Sequence, residues 1–209
     1  MSANRVEKLV YWYLRFNGYL TVENFTVHPD HKKDPEAEAD ILAVRFPLSK
    51  EDPEGYHFER DLKLVLPDVT DFIIGEVKSG MCAINENSWG NPTRKDIEYA
   101  LEWMGFLPKE DIGRVAKDIY QNKMWANEKY SVRQVCFGRY GNDELGTGYP
   151  QLPQIFLDRM IDFLYRRLTT DCNCLHRENW DSYIQALVKL IEQGQGFNEL
   201  LAWILQKDN

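Results

Sequence analysis

Cysteine, long apolar runs, repeats and an excess of positive charge are all scarce or missing in this chain. Four cysteines (Cys82, Cys136, Cys172, Cys174) in 209 residues do not make a disulfide framework, and their spacings are not those that announce an iron–sulfur cluster. Reduced thiols are expected. No apolar run reaches the length of a membrane-spanning helix, and the first residues lack the apolar stretch of a signal peptide, so a cytoplasmic protein away from membranes is expected. Without an internal repeat or low-complexity tract, solenoid and disordered classes fall away. The net charge of −8 opposes a generic nucleic-acid binder. That acidity is local, however. Residues 34–76 hold 12 acidic and 4 basic residues, which alone accounts for −8, and the rest of the chain balances.

What remains is an ordinary globular composition, 44% hydrophobic and 28% charged, with enough length for one well-filled core over 1–209. Val6, Leu9, Val10, Tyr13 and Leu14 recur at helical spacing, which predicts a helix over Arg5–Phe16 with Asn4 as its cap and Gly18 as its stop. A strand is expected over Tyr19–Val27, then a polar loop from His28. Two nearly continuous apolar runs, Ala39–Val44 and Asp71–Lys78, read as central strands covered on both faces. Residues 47–70 between them form a charged insertion, with a short strand near Phe58–Val65. Helices follow at Arg94–Met104 and Lys109–Asn122, a strand at Val132–Phe137 and a glycine-rich loop at Gly138–Gly148. The part from about residue 153 reads as helical, with helices at Leu157–Leu168, Asn179–Gln193 and Phe197–Gln206. The fold class is α/β, with a small central mixed sheet flanked by helices.

Charges inside those apolar strands demand partners, because an unpaired buried carboxylate costs several kcal/mol. Asp40 sits near the start of one strand. Glu76 and Lys78 sit near the end of another, two residues apart and so on one face. If the strands are neighbours, the three side chains converge at one edge. Two carboxylates and the Val77 carbonyl would make a hard-oxygen site suited to Mg²⁺.

Asp40 followed by Glu76-Val77-Lys78, with Glu7 on the leading helix, resembles the PD-(D/E)XK nuclease superfamily, which includes restriction endonucleases, Holliday-junction resolvases and RecB-like nucleases. Here Glu38-Ala39-Asp40 stands where the family motif has Pro-Asp. The likeness covers roughly residues 4–80. It implies a restriction-endonuclease-like core with extra C-terminal helices, and hydrolysis of phosphodiester bonds in DNA, with RNA left open. It also implies Mg²⁺ (or Mn²⁺) held by Asp40, Glu76 and Val77, with Lys78 orienting the attacking water. Glu7 would complete the site; the alternative is a capping box with Asn4. The rival function is a non-catalytic module of the same fold that binds nucleic acid or a protein. A homo-oligomer is compatible with either.

Weaker signals accompany these. Cys172, Cys174 and His176 lie close enough for a zinc site but lack a fourth ligand. His28 and His31 are expected in solvent. Glu38 is expected either beside Asp40 or in solvent. Trp89 and Trp125 stand in polar contexts suited to base stacking, whereas Trp103, Trp180 and Trp203 read as core. Arg94, Lys95, Arg166 and Arg167 are either phosphate contacts or a solvated face.

Overall fold

A computed structural model describes residues 5–27, 37–47, 60–66, 68–170 and 180–206. Helix α1 (Arg5–Phe16) has the predicted bounds and buries Val6, Leu9, Val10, Tyr13 and Leu14 along one stripe. It ends because Gly18 takes a left-handed φ of 85°, letting the Gly18 and Tyr19 amides return to the Arg15 and Leu14 carbonyls. Strands β1 (Leu20–Val27), β2 (Ala37–Arg45) and β3 (Thr70–Val77) follow as an antiparallel meander. Helices α2 (Asp96–Met104) and α3 (Lys109–Asn122) lead to β4 (Met124–Ala126) and β5 (Tyr130–Gly138). Strand β5 lies parallel to β3 and brings the chain back alongside it.

The sheet is six-stranded and mixed, in the order β1-β2-β3-β5-β4, with β6 (Gln154–Phe156) also on β5. Strands β4 and β6 share one edge of β5, pairing with residues 131–133 and 136–138 respectively. Helix α4 (Asp143–Gly148) falls within the expected glycine-rich loop, capped by the Asn142 side chain. Helices α5 (Leu157–Thr170), α6 (Ser182–Glu192) and α7 (Phe197–Leu205) close the chain. Each sheet face has its own core. Ile41, Ala43, Ile73, Val135 and Phe137 pack under α1, α5, α6 and α7. Leu42, Phe72, Ile74, Val132 and Cys136 pack under α2 and α3. No helix among the described residues is long and apolar enough to cross a membrane.

Several expectations are corrected. Residues 62–64 form a turn where the Phe58–Val65 strand was expected. Its Leu64 is fully buried, and its carbonyl accepts from Arg45 and Arg133, so burial here comes from a plugged turn rather than a strand. The part from residue 153 opens with β6 before its helices. Trp103 is 60% exposed, with its ring against Phe25 at the surface, whereas Trp89 is fully buried. The Trp89 indole donates to the Glu38 carbonyl and its own carbonyl accepts from Gln134, so a polar neighbourhood tethers the ring inside instead of presenting it to bases. Trp125, Trp180 and Trp203 are half-buried against the two cores. Most of the 47–70 insertion, the Asn4 cap, His28 and His31, and the Cys172, Cys174 and His176 group lie outside the described residues.

A candidate metal and catalytic site on adjacent strands

The β2–β3 ladder ends at the pair Ile41–Gly75, so the next residues across the gap are Asp40 and Glu76. Strand β2 loses strict alternation there. Ile41 and Ala43 enter the α1-side core, yet Ala39 joins Leu42 in the core on the other face. Opposite this kink, Asn24 in β1 holds a left-handed φ of 50°. Such local distortion re-aims a side chain at a sheet end. Here the Asp40 carboxylate accepts the Val77 amide at 2.6 Å in place of a ladder bond. In an extended strand a residue's carbonyl leaves on the same side as its amide, which for Val77 is the β2 side.

Lys78 binds both acids. Its Nζ lies 2.6 Å from Glu76 Oε2 and 3.8 Å from Asp40 Oδ2. The structure therefore brings together Asp40, Glu76, Val77 and Lys78 as the sequence suggested. The side chains are graded in depth: Glu76 is 8% exposed, Asp40 26% and Lys78 36%. Burial raises the Glu76 carboxyl above its ordinary value. The hydrogen bond and charge of Lys78 oppose that shift, and the charge of Asp40 adds to it. For Lys78 burial acts downward, but the bond to Glu76 and the charges of Glu76 and Asp40 win and raise its pKa. Lys78 thus keeps its proton at neutral pH, which suits electrostatic stabilisation rather than general-base work.

Glu7 is half-buried on α1, which packs on the face of the sheet opposite to that of Glu76, so the structure does not bring it together with Asp40, Glu76 and Lys78. Glu38 is exposed. Arg94 instead holds the buried Asp96, Arg166 pairs with Asp162 one helical turn away, and Arg167 is buried over the Phe16 ring. Lys95 is exposed in a left-handed turn before α2.

Sequence reasoning missed the buried thiol pair behind the site. Cys136 sits beside Glu76 in register, and its Sγ contacts the Ala83 carbonyl at 3.2 Å. The adjoining Cys82 thiol, and then burial, push the Cys136 thiol far up, so it stays protonated and packs as an apolar group. Also missed was Asp71. It is fully buried in β3 but satisfied by Arg133 at 2.7 Å and by the Tyr19 hydroxyl. Asp71 is paired with an arginine, whereas Lys78 is the cation against Asp40 and Glu76 among the described residues, with backbone amides adding a bond to each: Val77 to Asp40 and Asn85 to Glu76.

The donor set fits Mg²⁺ or Mn²⁺. Two carboxylates and a carbonyl offer hard oxygens, and Mg²⁺ commonly keeps water or substrate oxygens in its remaining positions. Among the described residues no group of three or more His, Cys, Asp or Glu forms a fuller metal cage. Comparison with models of known families, with curated proteins and with solved structures finds no match.

The raised Glu76 value has a pH consequence. The native carboxyl binds its proton more tightly than the unfolded one. Its stabilising contribution is therefore present below the ordinary 4.5 and lost as pH rises through the native value. In metal-free protein, Glu76→Gln should melt higher than wild type at neutral pH, with the gap closing toward about pH 4. Thermal melts of both proteins across that range check this; a gap independent of pH would show that Glu76 ionises without cost.

Proposed function

We propose that this chain is a Mg²⁺-dependent nuclease of the PD-(D/E)XK type, hydrolysing phosphodiester bonds in DNA. The observation that carries the reading is one ammonium, Lys78 Nζ, lying within 4 Å of two carboxylates on adjacent strands. The kink in β2 and the Asp40–Val77 bond set those groups at the open end of the ladder. The helix–strand–helix run after residue 80 is also compatible with the family resemblance.

In this reading Asp40, Glu76 and the Val77 carbonyl hold the cation. When bound, Mg²⁺ polarises the scissile phosphate and lowers the pKa of a water molecule. Lys78 donates to the attacking water and balances the negative charge that builds on the phosphate oxygens. The Val77 amide fixes one Asp40 oxygen, which leaves the other for the cation. Burial of Glu76 keeps its carboxylate poorly hydrated and so strengthens its field at the site. The acidity of residues 34–76, a stretch that includes Asp40 and Glu76, accounts for the net charge of −8 without excluding DNA, because divalent cations at the site would offset part of it.

A cleavage panel tests the function: linear, circular, single-stranded and branched DNA, plus RNA, each with Mg²⁺, Mn²⁺ or a chelator. Cleavage that needs the divalent cation is expected for at least one DNA form. Absence of cleavage across the panel would contradict the enzyme and favour the non-catalytic module.

A further inference from the structure

Strands β3 and β5 continue side by side past the site. The Lys78 amide donates to the Phe137 carbonyl at 2.8 Å, Arg139 to Gly80 at 2.7 Å and Cys82 to Tyr140 at 2.9 Å. Met81 and Tyr140 then form a parallel bridge. The Lys78–Phe137 bond puts Gly138 beside Lys78; the register then slips by one residue, so that Tyr140, two residues beyond Gly138, pairs with Met81. Gly138 permits this close passage. A Cβ there would lie 2.8 Å from Cys82 Sγ and 3.1 Å from the Gly80 carbonyl oxygen.

The residues this extension presents are out of keeping with a plain surface. Tyr140 is 55% exposed and Met81 56%, and the Arg139 guanidinium stacks over the Tyr140 ring at 5.0 Å from its centroid. None of the three supports a hydrophobic core. An exposed ring backed by a guanidinium is the chemistry that binds an unpaired nucleobase and its phosphate. A base inside an intact duplex is already stacked on its neighbours and cannot lie on the ring. Resting on the nuclease reading, we propose that the substrate enters as a single strand. A base next to the scissile phosphate stacks on Tyr140, and Arg139 pairs with a neighbouring phosphate.

The test measures binding in Mg²⁺ with Lys78→Ala protein, to suppress cleavage. The probes are a labelled oligo(dT) of about 16 nucleotides, the span of a single-strand site, and a blunt duplex of the same length. Adding Tyr140→Ala should weaken oligo(dT) binding by roughly 5- to 150-fold and leave duplex binding within twofold. Tyr140→Phe, which keeps the ring, should bind like its parent, and melting curves confirm folding of each protein. Equal oligo(dT) binding by the Tyr140→Ala protein, or stronger binding of the duplex than of oligo(dT) by its parent, would overturn the proposal. Cleavage by wild type that prefers duplex, unchanged by Tyr140→Ala, would remove the platform and leave the nuclease. Tyr140-dependent binding with no cleavage by wild type would do the reverse.

Discussion

Replacing Lys78 with Ala should cut DNA cleavage by on the order of 10²–10⁴-fold, the scale of losing one positioned catalytic group. The substitution removes the ammonium that lies 2.6 Å from Glu76 and 3.8 Å from Asp40 but leaves both carboxylates. Divalent binding should persist or strengthen, since no fixed cation then shares their field. Without metal the variant should melt lower, because Glu76, only 8% exposed, loses its partner. Mg²⁺ should restore much of that loss by mass action. A purely structural Glu76–Lys78 pair gives another pattern: lost stability, no rescue by Mg²⁺ and no cleavage to lose. Cleavage rates and melting temperatures of both proteins, with and without Mg²⁺, separate the two.

The second large effect is on stability. Arg133→Ala should destabilise the protein by about 3–5 kcal/mol, lowering the melting temperature by roughly 6–20 °C. Arg133 donates to both Asp71 oxygens, to the Tyr19 hydroxyl and to the Leu64 carbonyl, so one side chain ties β5 to β3, to the start of β1 and to the 60–66 turn. Its removal leaves Asp71, which is fully buried, without its hydrogen-bonded cation, while the charge of Arg45 across the ladder and the Tyr19 hydroxyl still act on it. Arg45 lies beside the Tyr19 ring but hydrogen-bonds the Leu64 and Leu66 carbonyls, so it does not replace the lost bond to Asp71. The exposed Arg114–Asp111 pair is the control; Arg114→Ala should cost less than about 1 kcal/mol. Chemical denaturation of both variants checks the contrast. Equal, small losses would mean that the Asp71 network contributes little.

The elements that sequence made legible are those with their own periodicity. Helix α1 matched its predicted bounds because an apolar stripe and Gly18 define both its face and its end. Central strands β2, β3 and β5 were visible as apolar runs. Strands β4 and β6 were not, since three residues carry no period and they exist only by pairing with β5. Asp40, Glu76 and Lys78 could be singled out because charge inside an apolar strand is anomalous. The same rule would also flag Asp71 and Arg133, which satisfy each other; pairing across 62 residues is invisible without the register. Trp89 and Trp103 exchanged their expected places. Carbonyl and amide partners drew Trp89 inside, while the Trp103 side of α2 faces the edge of the sheet. Arg139 and Tyr140 were hidden in a segment that read only as a glycine-rich loop.

The most direct measurement is Mn²⁺ titration, followed by electron paramagnetic resonance, of wild type and of Asp40→Asn. If Asp40 and Glu76 hold the cation, wild type should bind Mn²⁺ in competition with Mg²⁺, and Asp40→Asn should lose most of that affinity while remaining folded. Equal binding by the two proteins, or none by wild type, would contradict a metal site at the end of β2 and β3.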